Sequence, residues 1–403
     1  MSNVIANSSI VCKKALMVLE NMLEFTANAN RDYEPEFAAS FGRGYAPGNT
    51  INIKKPPRYT YRSGRVAAPQ ATTESTVPLV LQQGGCDLSF TTNERTTGLT
   101  MDALEDKLQA AIAPVANEID RAGLELAHYS VFNALNPTYA APNTQVLAVG
   151  AATALNRRLD DMACPRDRQR SLTMSPGLNE NLITGTVGLF NAQAKISEQY
   201  GTGIMVDALG IRYHLDQNVA VHTNGAATAS NINGANQTGA TITVAAIGAG
   251  TLTKGTVITL PGTFAVNPQS RQSTGVLAQF VVTADVAVGG TSIPISPAIV
   301  TSGAFQNVTA SPTTAQPFVI FGAASTSYSC SIAHHKTAFT LASVPLEMPT
   351  KGSGVIAHQE THNGLTLMVT EGYDIIAGAS IMRIDCLWGW AATYPELACK
   401  WAL

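Results

Sequence analysis

Two histidines stand four residues apart in the segment His358-Gln-Glu-Thr-His362. On a helix, this spacing places both imidazoles on one face, where they could hold a zinc ion. Metalloproteases with such a pair carry the glutamate directly after the first histidine, whereas Glu360 comes one position later. The neighbouring glycines and the residues Val355-Ile-Ala favour a strand instead of a helix. A metal-dependent hydrolase acting through these residues is therefore only a minor alternative.

No other group of reactive residues has a spacing typical of catalysis. His334 and His335 are adjacent, and on a strand they would point to opposite faces. Asp160 and Asp161 directly follow two arginines and a leucine, which predicts local ion pairs at an exposed helix end. The sequence contains neither a nucleophile elbow nor a kinase motif set. We therefore expect a protein that is not an enzyme and uses no cofactor or metal.

The cysteines and the hydropathy pattern indicate a protein made in a reducing compartment. The gaps between the cysteines fit neither a small disulfide scaffold nor zinc ligation, which predicts reduced, buried thiols at positions 12, 86, 164, 330, 386 and 399. Lys13 and Lys14 follow the first apolar stretch, so we expect no signal peptide. No apolar run reaches about 18 residues, so we expect no membrane span.

The composition indicates a surface that largely meets other protein. Of the 403 residues, 45% are hydrophobic and only 13% are charged, about half the usual charged share. The net charge of −3 argues against a dedicated nucleic-acid binder. A tail, fibre or adhesin protein would share this bias.

A proline-rich segment, residues 31–85, shows no core pattern and carries a block of positive charge. Between Glu36 and Glu74 the sequence has no acid. The six bases in this interval are Arg43, Lys54, Lys55, Arg58, Arg62 and Arg65. A long irregular stretch inside a compact domain is uncommon, so we expect an arm that reaches a neighbouring subunit. Because Tyr59 and Tyr61 lie among the bases, stacking on single-stranded nucleic acid is the alternative.

Apolar spacings of three and four predict three helices. The first covers residues 10–27 and buries its stripe either in its own subunit or on a neighbour. The strongest covers residues 101–135, with a predicted kink at Pro114. At about 1.5 Å per residue it would span roughly 50 Å, which suits a spine across the subunit. The third covers residues 144–163.

Residues 223–327 differ in composition from the rest of the chain. They contain only three charged residues, Lys254, Arg271 and Asp285, and are rich in Thr, Ser, Gly, Val and Ala. Short strand patterns alternate with turn residues at 241–246, 257–260, 277–284, 292–295 and 318–321. The pattern predicts an all-β domain inserted into an α+β chain, with its two ends close together.

Two stretches resemble the coat proteins of Salmonella-type podoviruses. One is Gly250-Thr-Leu-Thr-Lys-Gly-Thr-Val-Ile-Thr-Leu-Pro-Gly262, which is similar to a turn and strand of that family. The other is Ala377-Gly-Ala-Ser-Ile-Met-Arg-Ile-Asp-Cys-Leu-Trp-Gly-Trp-Ala-Ala-Thr-Tyr-Pro-Glu396, which is similar to the family's C-terminal strand. The order of elements also fits. The resemblance implies a major capsid protein of a tailed bacteriophage, with the α+β Hong Kong 97-type capsid fold and an inserted β domain.

The resemblance further implies roles for each region. The expected regions are an N-arm (1–30), an extended E-loop with P-domain strands (31–99), the spine helix of the P-domain (100–139), the first part of the A-domain (140–222), the inserted domain (223–327), and the second part of the A-domain with returning P-domain strands (328–403). The expected partners are hundreds of copies of the chain in hexamers and pentamers, scaffolding and portal proteins, and double-stranded DNA inside an icosahedral shell. Assembly is expected in the cytoplasm of the bacterial host, with the virion capsid as the final location.

Overall fold

The computed structural model describes residues 8–32, 50–67, 69–72, 74–93, 101–135, 145–186, 202–203, 207–350 and 354–402. Its main helices are α1 (Ser8–Met22), α2 (Met101–Ser130), α3 (Gln145–Asp161) and α4 (Pro176–Thr186). Its strands are β1 (Thr50–Lys55), β2 (Ser75–Val80), β3 (Gln82–Thr91), β4 (Ala134–Leu135), β5 (Arg170–Met174), β6 (Arg212–Leu215), β7 (Val221–Thr223), β8 (Gly239–Thr243), β9 (Val257–Val266), β10 (Ser273–Val282), β11 (Ser292–Ile299), β12 (Val319–Ile320), β13 (Ser327–His335), β14 (Phe339–Val344), β15 (Val355–His362), β16 (Leu365–Asp374), β17 (Ala379–Ala392) and β18 (Ala398–Ala402). The chain therefore has the α+β composition that the sequence predicts.

Helix α2 is the long helix expected from the apolar stripe. It has 30 residues and is about 45 Å long. It ends at Ser130, earlier than the predicted residue 135, because Ala134 and Leu135 pair with β18 instead. The buried stripe includes Ile112, Ala116 and Leu124, whereas Ala122 and Leu126 are only half-buried.

The first of two compact units takes the described parts of residues 1–54, 76–123 and 340–391. Its main sheet has the order β14-β17-β16-β15, and β3 also pairs with β17. Toward its start, β17 exposes Ile381 and Arg383 but buries Met382 and Ile384. This alternation is typical of a sheet with one covered face.

Helix α1 covers part of this sheet, so it buries its stripe within its own subunit. The Cys12 thiol lies 3.5 Å from the Leu367 carbonyl oxygen of β16. After the helix ends, Phe25 packs against Trp390 with 5.3 Å between ring centroids. A Cβ on Gly123 would lie 2.8 Å from the Trp390 ring, so only glycine fits there. The helix ends at Met22, five residues before the predicted residue 27.

A buried carboxylate fixes the chain after α1. Asp120 of α2 is 2% exposed and accepts hydrogen bonds from the backbone N–H groups of Glu24, Phe25 and Thr26 at 2.8, 3.3 and 3.0 Å. The Thr26 hydroxyl donates to the same carboxylate. Asp120 thus acts like the N-cap of the short 3₁₀ turn Thr26–Asn28, although it is about a hundred residues away in sequence.

Strands β1 and β2 correct the expectation that residues 31–85 form no core. Ile51 and Ile53 of β1 pack with Leu79 of β2 and with Val344 and Ala391 in one buried cluster. The sequence pattern missed these strands because each contributes only two or three apolar residues. Such short stretches are ambiguous before their neighbours are known.

The second compact unit takes the described parts of residues 55–75, 124–339 and 392–403. One sheet has the order β4-β18-β13-β5-β6, with β7 also pairing with β13. The pairs β18–β4 and β5–β6 are parallel, whereas β13 is antiparallel to β5, β7 and β18. Residues of α3, α4 and this sheet share a core that includes Leu155, Leu172, Leu178 and Trp401.

A second sheet of this unit lies within the stretch of low charge. Its order is β12-β9-β10-β11-β8, and its pairings are antiparallel. Each predicted strand overlaps one of these five strands. All members of the buried cluster around this sheet lie between residues 227 and 318 except Met162. Thr223 and Ser327 are direct cross-strand partners, so the ends of the predicted insertion are adjacent. An independently folding domain at 223–327 stays a prediction, because the compact unit also includes the other sheet.

Candidate assembly surfaces

The chain between β1 and β2, residues 56–74, makes an irregular excursion that we call the basic arm. Side chains join its two limbs. The Thr60 N–H donates to Gln70 Oε1 at 2.9 Å, and Gln70 Nε2 donates to the Thr60 carbonyl oxygen at 2.7 Å. The hydroxyls of Tyr59 and Thr72 lie 2.9 Å apart. All described residues from 59 to 72 are exposed. The arm therefore has the form of a hairpin that is held together by side chains instead of a strand ladder.

Two of the six predicted contact residues are engaged within the chain at the base of the arm. Arg58 Nη2 lies 2.6 Å from Glu396 Oε1, and its guanidinium lies 5.8 Å from the centre of the Phe305 ring. The Lys55 ammonium lies 5.4 Å from the centre of the Tyr394 ring. Burial lowers the pKa of Lys55. Both bases therefore stabilise their own subunit and are less available to a neighbour.

The base of the arm also lines a concave surface of the second unit. The cavity has a volume of about 460 Å³. Its walls are mostly apolar and include Phe132, Met162 and Phe280, with Arg158 among the polar groups. Its lining residues come from many separate stretches of the chain, so no local sequence pattern predicts it.

The tip of the arm carries two exposed cations of the predicted set, Arg62 and Arg65. Arg62 donates to two carbonyl oxygens of the arm's own turn, and both Arg62 and Arg65 are exposed. Tyr61 has 94% of its surface exposed. Lys54 is exposed on β1, and Arg43 lies outside the described residues. Of the predicted set, Lys55 and Arg58 are thus engaged at the base of the arm, and Arg62 and Arg65 are exposed at its tip.

An exposed aliphatic turn between β16 and β17 is a second candidate surface, which the sequence analysis missed. Ile375 and Ile376 are 85% and 98% exposed. Asp374 Oδ1 accepts hydrogen bonds from the N–H groups of Ile376 and Ala377, at 2.9 and 3.3 Å, and so holds the turn. Clustered exposed apolar side chains are typical of contact surfaces. In the sequence, the two isoleucines stand between Asp374 and Gly378, and both of these residue types are typical of turns.

Pro114 lies inside α2, as predicted, and its side chain is exposed. The helix continues through Pro114 without interruption. Because the ring is exposed, it displaces no packed side chain, although residue 114 has no N–H for the helical hydrogen bond. The predicted kink and its role in assembly stay predictions.

The histidine pair of the metal alternative lies on β15, as the strand pattern predicted. Four residues along a strand span about 13 Å, which is too far for His358 and His362 to share one ion. His362 instead lies 3.5 Å from Glu20 of α1, and Glu360 lies 3.7 Å from the Lys13 ammonium. Within the described residues, no group of three or more potential ligands could hold a metal.

The cysteines lie mainly in the interior and are protected from ionisation. Five of the six are buried, and Cys86 is half-buried. Burial raises the pKa of Cys12, Cys164 and Cys386 to about 11, and that of Cys399 to about 12. These thiols are therefore protonated near neutral pH and are poor nucleophiles.

None of the helices that the structure describes is long and apolar enough to cross a membrane. The long helix α2 carries charged residues along its whole length, including Lys107, Glu118 and Arg121.

One protein family matches the chain. The sequence profile described as "P22 coat protein - gene protein 5" covers residues 90–400, well over half of the chain. The matched range includes α2, the strands β4 to β17 and the first part of β18. No curated protein matches.

Several solved structures are similar to the chain at low identity. The chain is similar to a protein of Mycobacterium phage Che8, with 12% identity, a TM-score of 0.42 and 92% coverage of each chain. A chain from the capsid of the cyanophage P-SCSP1u has 11% identity and a TM-score of 0.42, with 89% of this chain and 84% of that one covered. A chain of the virus-like particle from Pyrococcus furiosus has 7% identity and a TM-score of 0.40, with 97% of each chain covered. Similarity at this level carries no conclusion, whereas the family match does.

Proposed function

Because the chain belongs to the P22 coat protein family, it is a major capsid protein that forms a phage shell, and we propose that the tip of its basic arm joins neighbouring copies. The observation that carries this proposal is the exposure of Tyr61, Arg62 and Arg65 on the irregular segment between β1 and β2. A shell subunit must bury part of its surface against copies of itself. An extended segment with cations and an aromatic ring suits a neighbour's surface that offers carboxylates and apolar groups.

The arm combines two kinds of attraction. A single exposed ion pair contributes only about 0–1 kcal/mol, so charge alone would hold two subunits weakly. Tyr61 adds a ring that can be buried at an interface, where tyrosine and arginine are enriched. The charges therefore mainly set the register and the rate of association, and the ring adds affinity.

Charge reversal at the tip tests the proposal. Arg62→Glu combined with Arg65→Glu is expected to abolish shell formation at concentrations where the wild type assembles, because like charges would then face each other. The subunit should stay folded, since both side chains are exposed. Sedimentation velocity measures the assembled fraction, and circular dichroism checks the fold. Wild-type assembly through the arm should also weaken between 0.1 and 1 M salt, because the screening length falls from about 10 to 3 Å.

The matched control reverses two exposed arginines on helices. Arg121→Glu combined with Arg157→Glu changes the net charge by the same amount as the arm variant. Each of these exposed arginines forms an ion pair with a carboxylate of its own helix. This variant is expected to assemble. If electron microscopy shows normal shells of the arm variant, the tip of the arm does not join neighbouring copies.

We further propose the finer features that the family implies. The shell is icosahedral and is built from hexamers and pentamers in hundreds of copies. It assembles in the host cytoplasm with scaffolding and portal proteins, and it encloses double-stranded DNA without sequence specificity. The match to a coat protein family supports these features and also supports a structural role without catalysis. The same match decides against a tail, fibre or adhesin protein.

A further inference from the structure

Lys400 of β18 is a buried cation with few partners. Its side chain is 2% exposed, and its ammonium donates to the Gly255 carbonyl oxygen at 3.2 Å. The titratable groups whose ionisation would favour its charge are the thiols of Cys330 and Cys399, and burial raises the pKa of both thiols. Within the described residues, no carboxylate lies within ion-pair distance of it. Burial lowers the pKa of Lys400 to about 8, so the ammonium is charged at neutral pH. A buried charge without a counter-charge is strongly unfavourable.

Two neutral histidines adjoin this cation. His128 Nε2 lies 3.1 Å from His222 Nδ1, and His222 Nε2 lies 3.2 Å from the Thr256 hydroxyl. Burial lowers the pKa of His128 to about 2 and that of His222 to about 4. His128 Nδ1 is buried and has no hydrogen-bond partner in the described part of the chain. His128 Nδ1 is therefore an unsatisfied polar atom at the end of this series of hydrogen bonds.

A small cavity lies among these groups. Its volume is about 30 Å³, and Lys400, His128 and Gly255 line it together with apolar residues such as Val257 and Phe321. A cavity needs about 10–15 Å³ on this measure to hold one water. The space therefore admits one water molecule or one monatomic ion of similar size.

We propose that this cavity binds a single halide ion, which is chloride under ordinary conditions. A halide would supply the missing counter-charge, whereas a water would not. The hydrogen-bond chain can present a donor to it. With the tautomers in which the Thr256 hydroxyl donates to His222 Nε2 and His222 Nδ1–H donates to His128 Nε2, the buried His128 Nδ1 carries a proton that has no acceptor in the described part of the chain. The Lys400 ammonium provides the second donor.

The site would connect three elements of the second unit. Lys400 belongs to β18, His128 to α2, and Gly255 to the turn before β9. Gly255 has φ +89°, and a Cβ there would lie 2.8 Å from His128 Nε2, so the turn approaches the histidine closely. A bound ion would therefore stabilise the packing of the low-charge sheet against the rest of its unit.

Chloride titration of the unassembled subunit tests the site. Unfolding in urea is measured in sodium chloride and in sodium gluconate at equal sodium concentration. If the site is half-filled at about 10 mM, raising chloride from 10 to 100 mM increases the folding equilibrium constant about fivefold, since the ion binds the folded state alone. No difference between chloride and gluconate means that the cavity holds water only, and this result overturns the proposal.

Two variants connect the effect to the cavity. Lys400→Met removes the charge and is expected to abolish the chloride dependence. Lys254→Met, on the same turn as Gly255, removes an exposed ammonium that lies 4.2 Å from the centre of the Tyr129 ring, and it should keep the dependence. If Lys400→Met does not fold, His128→Phe removes only the neutral donor and should weaken the dependence. Full chloride dependence in the folded Lys400 or His128 variant would assign the effect to another place and overturn the proposal.

Discussion

Two buried charged residues of this chain are satisfied to different degrees. Asp120 accepts three backbone N–H groups and a hydroxyl, which is enough to stabilise a buried carboxylate. Lys400 donates to a single carbonyl oxygen. Because removing one partner of a satisfied buried charge is strongly destabilising, Asp120 secures the segment after α1. Lys400, in contrast, is a source of instability unless an anion accompanies it.

The low pKa of Lys400 predicts a pH dependence of stability in halide-free buffer. The pKa is about 8 in the folded chain and 10.5 without burial, so the unfolded state binds more protons between these values. The buried charge of Lys400 destabilises the folded chain fully below pH 8, and this destabilisation disappears as the pH rises to 10.5. Urea titrations give the free energy of unfolding of the wild type and of Lys400→Met at each pH. The wild-type value minus the variant value should therefore increase between pH 8 and 10.5.

The comparison with Lys400→Met is needed because neighbouring groups titrate in the same range. The thiols of Cys330 and Cys399 have raised pKa values, which give a slope of the opposite sign. His128 and His222 are already neutral there. Lys254→Met serves as the control and should keep the wild-type slope. If the difference in the free energy of unfolding between wild type and Lys400→Met does not change with pH, Lys400 does not have a lowered pKa.

At the scale of elements, α2 includes a proline on its exposed side. Proline in a helix interior costs about 3 kcal/mol relative to alanine, because it removes a hydrogen bond and clashes with the preceding turn. Pro114→Ala is therefore expected to raise the free energy of unfolding by up to about 3 kcal/mol in urea titrations. If the bend caused by Pro114 fits the curvature of the shell, the variant should also change particle size or yield, as measured by electron microscopy.

The control for this helix is Gln109→Ala, an exposed position on the same element. Its effect on stability should stay within about 0.5 kcal/mol, and its shells should be normal. Wild-type shells from Pro114→Ala would remove the role in assembly. A stability equal to that of the wild type would show that the helix already accommodates the proline without strain.

For the whole molecule, residues 223–327 are predicted to fold as a module. Their buried cluster needs only Met162 from outside, and their ends are direct strand partners. Expressed alone, the segment should give a β-type circular dichroism spectrum and a cooperative melt, since an antiparallel sheet with its own core can be stable. The Gln279 amide, which bonds both backbone groups of Ala134, would lose these partners. A disordered spectrum would show that the segment depends on the other sheet.

Local patterns were enough to predict part of this fold. Apolar spacings predicted α1, α2 and α3, and alternation between turns predicted the five strands of the low-charge sheet. The C-terminal motif pointed to the coat protein family, which the match over residues 90–400 confirms. These features were accessible because helices and hairpins depend on side chains only a few positions apart. The ends of α1 and α2 were predicted too late, because contacts with distant residues decided them.

Only the tertiary structure decided which residues of the arm are available and where buried charges find partners. Arg58 and Glu396 meet across 338 positions of sequence, and Lys400 and Gly255 across 145. The exposure of Ile375 and Ile376 likewise depends on which strands surround their turn. No local spacing carries this information, because burial and pairing depend on which distant segments fold against each residue.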